Sequence, residues 1–384
     1  MSRRTTVIDW HVIACEYPPQ IGGVSGYVAS VAAGLGAAGH SVHVWCPPAA
    51  GPRPAPHGVT IHGELGRFTP GDLRRAGRML DGFVSPRRLL VQWVPHGYGY
   101  RSMNLPFCLW VRRRARKGDR VDLMVHEPFL AFDGSWKQKA AAAVHRAMTV
   151  ILLSAAHRVW VSTPAWRRSL EPFARGRQLG FDWLPVASPL EPIDDPGGVA
   201  DVRSRYAGPG EHLVGHFGLY SPLTARPMKK VVPQLLARLQ GVVVLLMGEG
   251  SVTLREQILE GAPQLAPRVH ATGVLAPPDL SRHLQTCDVL VQPYPEGITS
   301  RRTSTMAPLA HGKAIVTTAG PATEPVWRDR EAVSLMPPDA AAYVDEVERL
   351  IADPCARART GARARTLYED VFDVRHTVNA LMAS

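Results

Sequence analysis

The sequence is poor in cysteine and aromatic residues and has no long apolar run. Five cysteines (Cys15, Cys46, Cys108, Cys287 and Cys355) lie scattered, odd in number, with no Cys-x-x-Cys pair. That argues against a disulfide-stapled framework or a structural zinc site and points to a reduced, cytoplasmic chain. No stretch approaches the roughly 18 uncharged apolar residues of a membrane-spanning helix. The best candidate, Met148 to Ala156, is half that length and is bounded by Arg146 and Arg158. The N-terminus does not read as a signal peptide, because Arg3 and Arg4 precede only Val7 to Ala14, which Asp9 and His11 interrupt. Fixed-period repeats and low-complexity tracts are also lacking.

What is present is ordinary globular material: 384 residues, 45% hydrophobic and 20% charged. At a prior of roughly 150 residues per domain, two or three domains are expected. The net charge of +11 is unevenly spread. Residues 1–190 hold 24 Lys and Arg against 11 Asp and Glu, whereas residues 191–384 hold 20 against 22. The surplus is dense at Arg74–Arg75, Arg87–Arg88 and Arg112–Arg120. A basic half faces anions or a membrane surface, or is simply an arginine-rich solvated face.

Hydrophobic periodicity gives alternating strands and helices. Val12–Cys15 reads as a strand, Ser25–Gly39 as a helix and Val42–Trp45 as a strand, the opening of a doubly wound parallel sheet. Further strands are expected at Val59–His62, Leu89–Trp93, Val121–His126 and Val159–Ser162, with helices over Pro106–Lys117 and Ser135–Ala155. The segment Leu190–Gly210, rich in Pro, Gly and Asp, reads as the linker. Beyond it the pattern restarts, with a helix at Lys229–Leu239 after the strand Leu213–Phe217. A β-branched and Leu run, Val242–Met247, ends in Gly248-Glu249-Gly250, and a strand at Val289–Pro293 and a helix near Ser304–His311 follow. The expected fold is α/β, two Rossmann-like doubly wound parallel-sheet domains facing across a cleft. The boundaries fall at 1–192 and 193–368, and residues 369–384 form a helix crossing back to the first domain.

Five segments carry chemistry. The loop Tyr17-Pro18-Pro19-Gln20-Ile21-Gly22-Gly23-Val24-Ser25 joins a strand end to a helix start. Glycines there let backbone N–H groups approach an anion, or serve only a tight turn. The loop is neither a G-x-G-x-x-G fingerprint nor a Walker loop. His126 and Glu127 stand at a strand's carboxyl end, the edge that holds ligands in open α/β sheets. There His126 could donate to a sugar hydroxyl or be a structural residue. The loop Gln92-Trp93-Val94-Pro95-His96-Gly97-Tyr98-Gly99-Tyr100 offers aromatic faces that suit sugar rings or an acyl chain, or packs as a surface loop. In the second half, Arg226, Lys229 and Lys230 open a helix where cations can clamp a diphosphate, and Gly218 ends the preceding strand. In Tyr294–Met306, Arg301, Arg302, Thr303 and Ser304 converge on a helix start that suits a phosphate, and Glu296 can take ribose hydroxyls.

Together these residues resemble the retaining family-4 glycosyltransferases of the GT-B architecture. The likeness is strongest in Glu16-Tyr17-Pro18-Pro19-Gln20-Ile21-Gly22-Gly23-Val24 and in Ala310-His311-Gly312-Lys313-Ala314-Ile315-Val316, and the element order agrees over nearly the whole chain. The resemblance implies transfer of a hexose from a nucleotide-diphosphate sugar to a hydroxyl acceptor, with retention at the anomeric carbon and no cofactor or metal. It makes the first domain the acceptor domain and the second the donor domain. Gly22 and Gly23 would lie against the donor diphosphate, with His126, Glu127 and Gly23 at the reacting centre. Gly218, Arg226, Lys230, Glu249, Glu296, Arg301, Arg302, Thr303 and Ser304 would hold the donor, and Tyr17, Trp93, His96 and Tyr98 the acceptor. Glu296 stands where the family's Glu-x7-Glu element begins, but Ser304 occupies the place of the second glutamate.

The partners so implied are a nucleotide sugar and a saccharide, lipid-linked or small-molecule acceptor. The basic half suggests an acceptor that is anionic or presented at an anionic membrane, for a cytoplasmic protein peripheral to the inner membrane face. Nucleic acid is not expected, for want of a recognition-helix, zinc or stacking pattern. Two other uses of the fold are a nucleotide-sugar epimerase, with Glu127 and Glu296 as acid–base partners, and a non-catalytic nucleotide-sugar-binding scaffold.

Overall fold

A computed structural model describes residues 9–51, 53 and 55–384. The chain divides into two compact units, one formed by the residues up to Ala187 together with Val374–Ser384, the other by Ser188–Asp373.

The first unit carries strands β1 (Asp9–Ile13), β2 (Ser41–Trp45), β3 (Val59–His62), β4 (Arg88–Trp93), β5 (Arg120–Val125), β6 (Arg158–Val161) and β7 (Gly180–Trp183). They form one seven-stranded sheet in the order β3-β2-β1-β4-β5-β6-β7, parallel throughout. Its helices are α1 (Gly23–Ala37), α2 (Pro70–Leu80), α3 (Leu105–Arg116), α4 (Trp136–Ala155) and α5 (Pro164–Leu170). Both faces of the sheet are covered, as the near-continuous apolar strands require. One core holds Trp93, Tyr98, Phe107 and Met148, and the other Trp10, Tyr27, Val31 and Leu35.

In the second unit, α6 (Pro196–Tyr206), β8 (His212–Phe217), α7 (Pro222–Arg238), β9 (Val242–Met247), α8 (Ser251–Gly261), β10 (Val269–Ala271) and α9 (Pro277–Thr286) come first. Then follow β11 (Val289–Gln292), α10 (Thr303–Ala310), β12 (Ala314–Thr318), α11 (Pro325–Asp329), β13 (Ser334–Met336), α12 (Ala340–Ala352) and α13 (Pro354–Leu367). Its six strands are ordered β10-β9-β8-β11-β12-β13, again all parallel. The last helix, α14 (Val374–Met382), belongs to the first unit. It packs on α1, where a Cβ on Gly34 would stand 2.6 Å from Val378.

Two expectations are corrected here. The presumed linker contains α6, whose N-cap Asp195 accepts from the Gly198 N–H at 3.0 Å and whose Val202 is buried. Asp, Pro and Gly are helix-start residues as well as loop formers, so composition alone misled. The arginine surplus is also partly structural. Arg87 and Arg114 both bind the buried Asp119, at 2.6 and 2.5 Å, and Arg88 binds the buried Asp122 at 2.9 Å. These three guanidiniums compensate buried carboxylates and are not available to an acceptor. Among the described residues, no helix is long and apolar enough to cross a membrane.

Candidate functional site

In a doubly wound sheet the ligand crevice lies outside the carboxyl ends of the strands, where the strand order reverses. That point falls between β1 and β4 in the first unit and between β8 and β11 in the second.

At the first edge, β5 delivers His126. Its N–H donates to the Trp93 carbonyl at 3.0 Å, and its own carbonyl accepts from Ser162 Oγ and Trp166 Nε1, at 3.2 and 3.0 Å. The imidazole stands edge-on to Tyr27, ring centres 5.0 Å apart. Burial lowers its pKa to about 3, so the ring is neutral at physiological pH. Nε2 lies 2.9 Å from Gln92 Oε1, and a carboxamide oxygen only accepts, so Nε2 carries the proton. Nδ1 is therefore left as an acceptor. His126 can receive a hydrogen bond from a sugar hydroxyl through its ring, not donate one as the sequence suggested. Glu127 follows, half-exposed, 3.4 Å from the exposed His96.

The loop after β1 brings a residue that the sequence reading did not assign. Glu16 Oε1 accepts from the Ser25 N–H in the first turn of α1 at 2.8 Å. A Cβ on Gly22 would stand 2.2 Å from that oxygen. Gly22 is extended, with φ of 179°, so it is glycine for the closeness of Glu16 and not for a left-handed turn. The α1 N-terminus is thus partly filled by the protein's own anion, leaving the Gly23 and Val24 N–H groups to a ligand.

Three expected acceptor contacts are corrected. Tyr17, Trp93 and Tyr98 are buried. Tyr98 stacks on Phe107 with centres 4.1 Å apart, and its hydroxyl donates to the Gln92 carbonyl at 2.5 Å. Trp93 Nε1 donates to the Pro128 carbonyl at 3.4 Å. These rings are core, because the loop after β4 folds inward, and of the four residues only His96 is exposed. Beside them opens a cavity of about 510 Å³, lined among others by Gln20, Arg67, Phe68, Gly99 and Tyr100. Its wall is strained: Phe68, Tyr100, Arg101 and Ser102 all have φ between 50° and 71°. Non-glycine residues there cost about 1 kcal/mol or more each and persist where surrounding structure holds them. The buried Asn104 does so, donating to the Phe68 and Tyr98 carbonyls at 3.2 and 2.7 Å.

At the second edge the predicted residues do come together. A Cβ on Gly218 would lie 3.5 Å from Ser304 Cβ, and one on Gly248, whose φ is +113°, would meet the Gly218 carbonyl at 2.2 Å. Backbone here approaches backbone as only glycine allows. Tyr294 Oη lies 2.8 Å from Ser304 Oγ and 2.7 Å from Thr305 Oγ1, and Gln292 Nε2 donates to the Phe217 carbonyl at 2.9 Å. Helix α10 starts at Thr303 with no side-chain cap, and the Thr305 N–H turns back to the Arg302 carbonyl at 2.9 Å, which leaves the Thr303 and Ser304 N–H groups at the edge. Arg301 reaches Glu296 at 3.3 Å, and Arg302 pairs with the same carboxylate while lying 4.7 Å over the Tyr294 ring. Glu296 is therefore an ion-pair partner here. Glu324, missed in the sequence, is buried and accepts from the Ser300 N–H, Ser300 Oγ and Trp327 Nε1 at 2.8, 2.6 and 2.6 Å. It fixes the loop that carries both arginines. Its only sequence signal was its place before Pro325, an N-cap position.

Arg226, Lys229 and Lys230 are placed differently from expectation. Helix α7 starts at Pro222, seven residues earlier than the apolar pattern implied, because a proline-containing first turn masks the periodicity. The three cations stand in its second and third turns, exposed, and do not open it. Glu249 is exposed, and its carbonyl accepts from the Tyr220 N–H at 3.1 Å.

Two doubly wound sheets, one edge built of close-approaching glycines, hydroxyls and an uncapped helix start beside two guanidiniums, define an α/β protein whose strand ends suit an anionic ligand. Residues 22–178 match the model of the glycosyl transferase 4-like domain, and residues 223–353 that of the glycosyl transferases group 1. The chain belongs to the family-4-like glycosyltransferases of the GT-B fold. A comparison with curated protein sequences finds no match. Among solved structures, the sucrose-phosphate synthase of Thermosynechococcus elongatus is similar over 98% of both chains, with a TM-score of 0.73 and 17% identity. The Anabaena protein HepE in complex with UDP-glucose is similar over 98% of both chains, with a TM-score of 0.68 and 15% identity. WaaG, described as a glycosyltransferase involved in lipopolysaccharide biosynthesis, covers 97% of this chain and 98% of its own, with a TM-score of 0.59 and 14% identity.

Proposed function

We propose that this protein transfers a hexose from a nucleotide-diphosphate sugar to a hydroxyl acceptor, with retention and without a metal. The observation that carries the reading is the second edge, where Gly218, Gly248, Thr303 and Ser304 meet beside Arg301 and Arg302. In the reaction the bond from the anomeric carbon to the diphosphate oxygen breaks, and the acceptor oxygen bonds to that carbon from the same face. The acceptor proton passes to the departing phosphate oxygen. Negative charge grows on the diphosphate, so fixed N–H groups and guanidiniums aimed at it lower the barrier. The α10 N-terminus, Arg301 and Arg302 supply that charge, with Arg226 and Lys230 reaching in from α7. Gly22 and Gly23 offer the remaining N–H groups of α1, and His126 accepts from the sugar. Glu249 and Glu296 are left for donor hydroxyls, Glu296 once a diphosphate has drawn its arginines away.

The acceptor sits in the first unit, in the cavity beside Gln20, Arg67 and Tyr100, with His96 and Glu127 near its rim. Arg67 is exposed there, which favours an acceptor carrying a negative group. Phe132 and Trp136, 53% and 75% exposed, stand beside Lys137 and Lys139 and suit peripheral contact with an anionic membrane.

A thermal-shift panel of UDP-, GDP-, dTDP- and ADP-linked sugars tests the reading. One donor is expected to stabilise the protein by about 2.7 kcal/mol at a hundredfold excess over Kd. Replacing both Arg301 and Arg302 with Gln should weaken that donor by about 100-fold, from roughly 1.5 kcal/mol per charged hydrogen bond. No shift with any donor overturns the proposal. Transfer that is abolished by EDTA removes its metal-independent part.

A further inference from the structure

The second unit has another cavity, of about 620 Å³, at the opposite end of its sheet. Arg203, Thr286, Cys287, Asp288, Lys313 and Arg357 line it. Asp288 and Lys313 directly precede β11 and β12, so this is the amino-terminal edge of the strands. It lies one strand length, about 16 Å, from the edge that carries Ser304.

The lining holds three cations, Arg203, Lys313 and Arg357, and three acids, Asp194, Asp195 and Asp288, but they are not evenly paired. Arg203 is spent, donating to Asp288 at 3.1 Å and to the Thr286 and Glu211 carbonyls. Asp195, also in the wall, is held by Arg282 at 2.6 Å. Lys313 is different, since Nζ has one partner, the Gln285 carbonyl at 2.9 Å, and no carboxylate of its own. Burial pushes its pKa down, against the upward pull of the neighbouring Cys287 and Asp288. Arg357 is bound through Nη1 to the Leu350 and Ile351 carbonyls and to no acid. Thr286 is 4% exposed, and its Oγ1 has no hydrogen-bond partner. Helices α6 and α13 start at the same space, at Pro196 and Pro354, with their N-termini already capped by Asp195 and Asp353. Asp194 stands exposed at the rim. A half-buried Lys313 whose neighbouring acid Asp288 is already bonded to Arg203, an Arg357 held only by carbonyls and the orphaned Thr286 hydroxyl leave donors for an acceptor-rich guest.

We propose that this cavity is a second ligand site, separate from the glycosyl-transfer edge, that binds a small phosphate-bearing molecule through Lys313, Arg357 and Thr286. It is larger than a bare oxyanion requires, so an organic phosphate fills it better than the free ion. The site stands on its own observations and does not depend on which sugar nucleotide, if any, the other edge takes.

The test is thermal shift on the full chain with inorganic phosphate, glucose 6-phosphate and, as a control for ionic strength, sodium chloride. Wild type and the variants Lys313→Gln, Arg357→Gln and Thr286→Val are compared. Glucose 6-phosphate at tenfold excess over Kd should raise the wild-type Tm by about 3 °C, and Lys313→Gln and Arg357→Gln should each weaken binding tenfold or more. Thr286→Val discriminates a binding role from a structural one. Removing an unsatisfied buried hydroxyl leaves the unliganded Tm unchanged or higher, whereas the phosphate-induced shift should shrink. Equal affinity for phosphate and glucose 6-phosphate, lost in the variants, identifies the free ion as the guest. Shifts that are the same in wild type and in every folded variant, or that sodium chloride reproduces, overturn the site.

Discussion

The carboxyl edges of the two sheets treat negative charge in opposite ways. In the first unit the helix start after β1 already holds a carboxylate, Glu16, bonded to the Ser25 N–H. In the second unit the helix start after β11 is uncapped, and the nearby carboxylate, Glu296, sits on two guanidiniums instead. A helix N-terminus carries about half a unit of positive charge, which Glu16 largely offsets. Arg301 and Arg302 bring two guanidiniums to that edge, and both reach Glu296. The second edge thus gathers positive charge at its helix start, whereas the first spends part of it on its own carboxylate.

The glycines at the two edges give the largest test of that contrast. A Cβ on Gly248 would strike the Gly218 backbone carbonyl at 2.2 Å from a φ of +113°, and neither atom can yield without moving a strand end. Gly248→Ala should destabilise the second unit by about 3 kcal/mol and abolish donor binding. A Cβ on Gly22 comes equally near, 2.2 Å, but to the end of the flexible Glu16 side chain, and Gly22 is extended. Gly22→Ala should therefore cost about 1 kcal/mol, by displacing one capping bond. Urea unfolding of both variants checks the ordering, and equal losses would remove the distinction between the edges.

His126 supplies the next test. His126→Ala should lower transfer by tens of fold, about 2–3 kcal/mol, and Gln at this position should recover part of it as an acceptor. The buried ring also leaves a signature in acid. The folded state keeps His126 neutral down to about pH 3, while the unfolded chain takes up a proton below about 6.5. Stability is intact above pH 6.5 and falls below it, by about 2 kcal/mol at pH 5 from this group. The Gln variant should lose correspondingly less between pH 7 and 5, measured by chemical denaturation. Parallel losses would mean that the imidazole is not buried in solution.

Much of this was visible in the sequence, and the misses have physical causes. Continuous apolar runs such as Val242–Met247 mark strands buried on both faces, so the alternation of elements could be read directly. Arg301, Arg302, Thr303 and Ser304 were legible because consecutive cations and hydroxyls at a strand-to-helix junction have few structural uses. Trp93 and Tyr98 were misread because an aromatic in a glycine-rich loop looks the same whether the loop turns outward or in. Arg87 and Arg88 were misread because Asp119 and Asp122, which pair with them, are distant in sequence, and Arg114 because Asp119, five residues on, lies past the helix end, where spacing does not fix side-chain direction. Glu16 and Glu324 were overlooked for a related reason. Each acts across a loop, on a backbone N–H nine and 24 residues away, and local spacing carries no trace of such contacts.

The smallest expected effect bears most directly on the difference between the edges. Glu16→Gln keeps an oxygen for the Ser25 N–H and nearly the same volume, so it removes charge and little else. Stability should change by under about 1 kcal/mol, the usual value of a carboxylate at a partly exposed helix start. Anion affinity should move more than stability does. With the negative charge gone, the α1 N-terminus regains its partial positive charge, and binding of nucleotide diphosphates should tighten by about three- to fivefold at low salt. That gain should fade toward 0.5 M salt, as screening shortens to a few ångströms. The matching change at the second edge, Glu296→Gln, frees two guanidiniums and should tighten diphosphate binding further still, unless Glu296 also bonds the donor's hydroxyls. Isothermal titration of UDP against both variants separates the cases. If Glu16→Gln leaves affinity unchanged at every salt concentration, its carboxylate does not compete for the site and the two edges are electrostatically alike.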